Sequence, residues 1–124
     1  KKKILLADDE KNLRDLLKVH LEDAGYEFIE AQDGKAALDQ AKKHRPDLII
    51  LDVNMPRMNG FEVLGHLKKD SKTRDIPVIM LTTRASQEDI EAGMGLDADQ
   101  YMAKPFDSQK LLQAIAQTFE VRGL

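Results

Sequence analysis

The sequence predicts an α/β fold: a doubly wound parallel sheet with helices on both faces. Short apolar runs recur five times, at residues 4–7, 26–31, 48–51, 78–81 and 100–103, each followed by a longer segment of mixed polar and apolar residues. The run at 48–51 shows no alternation, as expected of a strand covered on both faces. Helix-length crossovers between successive strands then call for parallel pairing with right-handed connections.

Between the first two strands, Leu13, Leu16, Leu17, Leu21 and Ala24 recur at helical spacing, and Gly25 stands where a left-handed cap is wanted. Asp33-Gly34 and Asn59-Gly60 are hairpin signals in isolation. Ala37, Leu38 and Ala41 follow the first at helical spacing, and Phe61, Leu64 and Leu67 the second, so both pairs read as helix starts. Ser86, with Asp89 three residues later, resembles a capping box and opens a short, weak fourth helix with Ile90 and Met94 on its apolar side. Leu111, Leu112, Ile115 and Phe119 define the last helix, with Asp107 or Ser108 as its cap. Met80 and Met102 lie within strands as core filler, while Met58 and Met94 lie in or near loops.

A chain of 124 residues is long enough to bury one core and too short for two, so one domain spanning 1–124 is expected. Its 42% hydrophobic and 33% charged content is that of a globular protein, and no apolar run approaches the length of a spanning helix. A net charge of -3 with both signs scattered leaves no basic stripe, which argues against direct nucleic-acid binding; Lys1, Lys2 and Lys3 read as a solvated lead-in to the first strand. Without cysteine there is no disulfide, thiolate metal site or thiol nucleophile, which fits a reducing cytoplasm. No signal-peptide pattern precedes the first strand, and the numbering begins at a lysine, as in a processed or excerpted chain.

In open parallel sheets ligands bind outside the carboxyl ends of the strands. Asp8 and Asp9 follow the first strand, Asp52 closes the third, Thr82 closes the fourth, and Lys104 stands just past the fifth. Carboxylates gathered in one crevice repel one another unless a cation joins them. Every candidate ligand is an oxygen, with no histidine close in sequence to the acids, which favours Mg²⁺ over zinc, with Mn²⁺ as a substitute. A carboxylate beside such a cation can attack a phosphoryl donor and form an acyl phosphate, and Asp52 is the candidate nucleophile. Phosphoryl transfer asks mainly for positioning and charge neutralisation; Lys104 supplies a cation and Thr82 a hydroxyl.

Each of these residues has a plain reading on its own. Asp8, Asp9 and Glu10 suit a helix start. Asp52 and Lys104-Pro105 suit turns, and Thr82 suits a strand end. Their joint placement at four strand ends is what turns the reading toward a site. His20, His44 and His66 fall on three separate predicted helices and are not metal ligands.

The stretches Leu6-Ala7-Asp8-Asp9-Glu10, Leu51-Asp52-Val53-Asn54-Met55-Pro56, Leu81-Thr82-Thr83 and Lys104-Pro105-Phe106 resemble the signature of response regulator receiver domains, and the resemblance covers essentially the whole chain. It implies a flavodoxin-like five-stranded sheet in the order 2-1-3-4-5 and a cis peptide before Pro105. It also implies that Asp8 and Asp9 hold the metal, that Asp52 is both phosphorylated and a ligand, and that the backbone carbonyl of Asn54 is a further ligand. Thr82 and Lys104 then contact the phosphoryl oxygens, and Tyr101 is the switch aromatic that moves with Thr82. The implied output surface is the fourth helix, fifth strand and last helix.

Partners implied by the resemblance are a histidine kinase or phosphotransfer protein as donor and an output domain or downstream protein as target. A membrane has no part in it, and a phosphorylation-dependent homodimer is left open. The resemblance also implies a signalling switch with intrinsic autophosphorylation and slow autodephosphorylation, not an enzyme in the usual sense. Two residues depart from the usual pattern. Thr83 replaces a smaller residue and is expected to narrow access to Asp52, and Gln100 stands where an aspartate is common. A phosphatase of the haloacid dehalogenase type is the enzymatic alternative, but it wants a second aspartate where this chain has Asn54. A receiver-like interaction module that works without phosphorylation is the other alternative, though such modules usually lose one of the residues retained here. A flavin or nucleotide carrier would need a phosphate loop where Asp8-Asp9-Glu10 would repel phosphate.

Overall fold

The computed structural model describes residues 1–83, 88 and 97–124. Strand β1 (Lys3–Ala7) leads into α1 (Lys11–Asp23), β2 (Glu27–Ala31) into α2 (Gly34–His44), and β3 (Leu48–Asp52) into α3 (Gly60–Lys69). Then come β4 (Val78–Thr82), β5 (Gln100–Ala103) and the C-terminal helix α4 (Ser108–Arg122). The five strands pair in parallel in the order β2-β1-β3-β4-β5. The α/β fold and its strand order are thus as the sequence and its resemblance imply. The expected fourth helix, with Ser86, Asp89, Ile90 and Met94, lies outside the described residues.

Local chemistry sets the helix starts. The Asp33 side chain accepts from Ala36 N at 2.8 Å, and Asp107 accepts from Gln109 N at 2.7 Å, each satisfying a donor that the first helical turn leaves open. Asn59 and Glu62 form a reciprocal capping box on α3. Both Asx-Gly pairs therefore open helices and not hairpins. Gly25 ends α1 with φ of 91°, a conformation that only glycine adopts without strain.

Alternation along the central strands feeds two cores. Leu5, Ala7, Ile49, Leu51, Val78 and Met80 face α2 and α3. Ile4, Leu6, Leu48, Ile50, Ile79 and Leu81 face α1 and the C-terminal helix. Each fully buried aliphatic side chain contributes roughly 1.5–3 kcal/mol. On α1, Leu17 and Leu21 are buried and Leu13 packs against them, but Leu16 is 51% exposed and Ala24 is also exposed. The buried stripe runs instead through Arg14, Leu17 and Leu21. Met80 is fully buried and Met102 partly so.

Gln100 ties β5 to the C-terminal helix, its side-chain amide donating to Ala114 O at 3.0 Å and Thr118 Oγ1 at 2.7 Å. An aspartate at this position would have no such donor. At the same end of the strand, Arg122 donates to Asp99 at 2.6 Å.

Two glycines on α3 separate backbone demand from helix propensity. A Cβ on Gly60 would run into the Asp52 carbonyl and lie 2.9 Å from Val53 Cα, whereas one on Gly65 would meet nothing within 4 Å. Gly60→Ala is therefore expected to lose about 1–3 kcal/mol by forcing backbone apart. Gly65→Ala is expected to gain about 0.5–1 kcal/mol from helix propensity alone. Urea melts of the two variants check the pair, and equal effects would contradict it.

Candidate functional site

Register decides which side chains meet at the carboxyl edge of the sheet. Leu6 pairs with Ile50 and Ala7 with Leu51, so the next residues, Asp8 and Asp52, come level on adjacent strands. Both share the side-chain phase of Leu6 and Ile50 and lean toward the α1 face. Met102 has the same phase on β5, and Lys104, two residues on, reaches back over the edge.

Asp8, Asp9 and Asp52 bring one carboxylate oxygen each to within 4.8 Å of one another, a group that can hold a metal ion. Asp8 is fully buried, Asp52 is 3% exposed, and Asp9 is open to solvent. The Lys104 ammonium lies 2.7 Å from Asp8 Oδ2 and 3.4 Å from Asp52 Oδ1, with Glu10 at 4.0 Å. The Lys104–Pro105 peptide is cis, as the resemblance implies.

Burial and the neighbouring charge of Asp8 push the Asp52 carboxyl up from 3.8 to about 6, against the opposing pull of Lys104 and the Asn54 amide. Burial alone would lower the Lys104 ammonium, but its bond to Asp8 and the charges of Asp52 and Asp8 outweigh that and raise it. One ammonium therefore only partly offsets the crowded acids. An all-oxygen donor set short of positive charge fits a hard divalent cation.

The fourth strand end carries Thr82, fully buried, whose hydroxyl lies 3.4 Å from Met102 O. Thr83 accepts from the Asn54 side chain at 3.2 Å, and the Asn54 amide lies 3.4 Å from Asp52 Oδ1. Tyr101 packs on the α2 and α3 side, level with Met80 in the β4–β5 register. Thr82, two residues past Met80, shares that face. The Tyr101 hydroxyl is buried with no hydrogen-bond partner among the described residues, and burial raises its pKa above 10.0.

Asp8, Asp9, Asp52, Asn54, Thr82 and Lys104 thus lie at the carboxyl edge, while Tyr101 lies further back along β5, on the face it shares with Thr82. Reading the sequence missed Arg14, whose guanidinium donates to Asp8 O at 2.7 Å and to Glu30 at 3.1 Å. A charged residue in the buried phase of an amphipathic helix was the available signal.

The response regulator receiver domain family model matches residues 4–116. Over 114 residues the chain is 40% identical to the phosphate regulon transcriptional regulatory protein PhoB of Escherichia coli, covering 92% of this chain and 50% of that protein. Over 110 residues it is 42% identical to the alkaline phosphatase synthesis transcriptional regulatory protein PhoP of Bacillus subtilis, covering 89% and 45%. The chain therefore spans about half the length of these relatives. Among solved structures, the chemotaxis response regulator CheY4 of Vibrio cholerae superposes with a TM-score of 0.86 at 39% identity, covering 94% of this chain and 98% of that one. The response regulator TrrA of Thermotoga maritima, in complex with Mg(2+)-BeF, superposes with a TM-score of 0.84 at 36% identity, covering 95% and 99%.

The raised Asp52 carboxyl has a consequence for stability. Its folded value of about 6 exceeds the ordinary 3.8, so the folded state holds the proton more tightly and stability falls as pH rises between those values. Above that window the ionised group costs about 3 kcal/mol, and below it nothing. Asp52→Asn in chelator is therefore expected to be more stable than wild type at pH about 7.5, with the difference fading below pH about 4. Urea melts at the two pH values measure it; a pH-independent difference would contradict it.

Proposed function

The chain belongs to the response regulator receiver domain family, and on that premise we propose that it is the phospho-acceptor switch of a two-component phosphorelay, with Asp52 as acceptor. The observation that carries this is the meeting of Asp8, Asp9 and Asp52 within 4.8 Å, with Lys104 bridging Asp8 and Asp52.

In this reading Asp8, Asp9, Asp52 and the Asn54 backbone carbonyl hold Mg²⁺, which when bound supplies charge neutralisation for the acids and the phosphoryl oxygens. Mn²⁺ can take its place. An Asp52 carboxylate oxygen attacks the phosphorus of a phosphohistidine on a histidine kinase or phosphotransfer protein. The new P–O bond replaces the P–N bond, and the histidine nitrogen leaves with the bonding pair. Lys104, already beside Asp52, stabilises the transferred oxygens, and the Thr82 hydroxyl donates to one of them. Slow attack by water on the phosphorus of the acyl phosphate breaks its bond to the Asp52 oxygen, returning the carboxylate and releasing inorganic phosphate.

Thr82 and Tyr101 share a sheet face, so drawing Thr82 toward the phosphoryl group opens space that Tyr101 can enter. The phosphoryl group thereby favours one of two pre-existing conformers and alters the surface around β5 and the C-terminal helix, which addresses an output domain or partner protein. Phosphorylation-dependent pairing of two copies through that surface belongs to the same proposal. The domain is a signalling element, not a classical enzyme. We place it in the cytoplasm, one receiver domain spanning 1–124, acting without membrane or direct nucleic-acid contact of its own. Among the described residues no helix is long and apolar enough to cross a membrane.

Incubation with acetyl phosphate, with and without Mg²⁺, followed by intact mass measurement of wild type and Asp52→Asn, tests the chemistry. A gain of one phosphoryl group that needs both Mg²⁺ and Asp52 is expected. No gain under any condition would favour an interaction module that works without phosphorylation.

A further inference from the structure

Every polar atom of Asp8 is held. Its amide donates to Ala31 O at 3.1 Å, and its carbonyl accepts from Arg14 Nη1 at 2.7 Å. Its carboxylate accepts from Glu10 N at 2.9 Å and from Lys104 Nζ at 2.7 Å. Asp9, by contrast, is exposed, yet its carboxylate must reach the same point as those of Asp8 and Asp52. The peptide group joining Asp8 to Asp9 is planar, so fixing the Asp8 carbonyl also fixes the direction in which Asp9 leaves the strand.

Arg14 does that fixing. Its guanidinium is planar and rigid, with donors aimed in a fixed fork. One arm takes the Asp8 carbonyl, while Nε takes Glu30 on β2, the strand next to β1. Arg14 is 7% exposed and sits on the buried stripe of α1 between sheet and solvent. Burying a guanidinium against a main-chain carbonyl is a costly use of charge unless its bonds are met, and here they join α1, the end of β1 and β2.

We propose that Arg14 is a positioning residue for the cation site, braced by Glu30 and acting through the Asp8–Asp9 peptide. This rests on the reading of Asp8, Asp9 and Asp52 as Mg²⁺ ligands. Partners that orient ligands from behind typically cost about 10–100-fold in metal affinity when removed.

Calorimetric titration with Mg²⁺ of wild type, Arg14→Met, Arg14→Lys and Glu30→Ala tests the brace, alongside melting temperatures with and without Mg²⁺. Arg14→Met is expected to raise the Mg²⁺ Kd by about tenfold or more and to shrink the Mg²⁺-dependent rise in Tm. Arg14→Lys, keeping one donor, is expected to fall between it and wild type. A merely structural role would lower Tm equally with and without Mg²⁺ and leave Kd unchanged in folded protein, and that result overturns the proposal. Should Arg14→Met fail to fold, Glu30→Ala keeps the test, because Glu30 is 42% exposed at its side chain and its loss only frees one arm of the brace. Weaker Mg²⁺ binding in that variant supports the brace, and unchanged binding overturns it. Absence of Mg²⁺ binding in wild type would instead overturn the reading of the acids as a cation site, and the brace with it.

Discussion

Like charge brought together at the end of a parallel sheet is the constraint from which the rest of this molecule follows. The β1–β3 register places Asp8 and Asp52 side by side, and both are almost wholly removed from water. Burial and the neighbouring charge of Asp8 drive the Asp52 carboxyl up to about 6. Lys104 at 2.7 and 3.4 Å offsets part of the repulsion and no more. Three acids against one ammonium make a donor set that can hold a divalent cation.

Such an edge needs a rigid support. The three central strands are apolar and fully buried along almost their whole length, and their two faces feed separate cores. The repulsion among the acids is thus confined to one end of a well-buried sheet. Side chains around the edge are fixed in turn, Arg14 holding the Asp8 carbonyl and Asn54 approaching both Asp52 and Thr83, while at the amino end of β5 Gln100 fastens that strand to the C-terminal helix. The hydroxyl of Tyr101 is buried and unmatched among the described residues.

Much of this was legible in the sequence because it is written in local chemistry. Apolar runs mark strands, Asx-Gly pairs followed by helical periodicity mark caps, and the acids fall at strand ends by simple counting. The order of the strands was not local information and came from resemblance to a family. Leu16 fits helical spacing yet is exposed, because a five-residue apolar set is wider than the stripe that α1 buries. Arg14 was passed over for the converse reason, since charge is read as solvated until a structure shows what receives it. The hydrogen bonds of Gln100 depend on how the C-terminal helix docks, which no spacing rule contains.

The central claim is that the acids at the sheet edge await a cation, and the titration of one carboxyl reports on it directly. Carbon NMR of the Asp52 carboxyl through a pH series, in chelator and then in saturating Mg²⁺, follows that proton. The account predicts a midpoint near 6 in chelator, well above 3.8, and a marked fall when Mg²⁺ is added. An ordinary midpoint in chelator, unmoved by Mg²⁺, would contradict it.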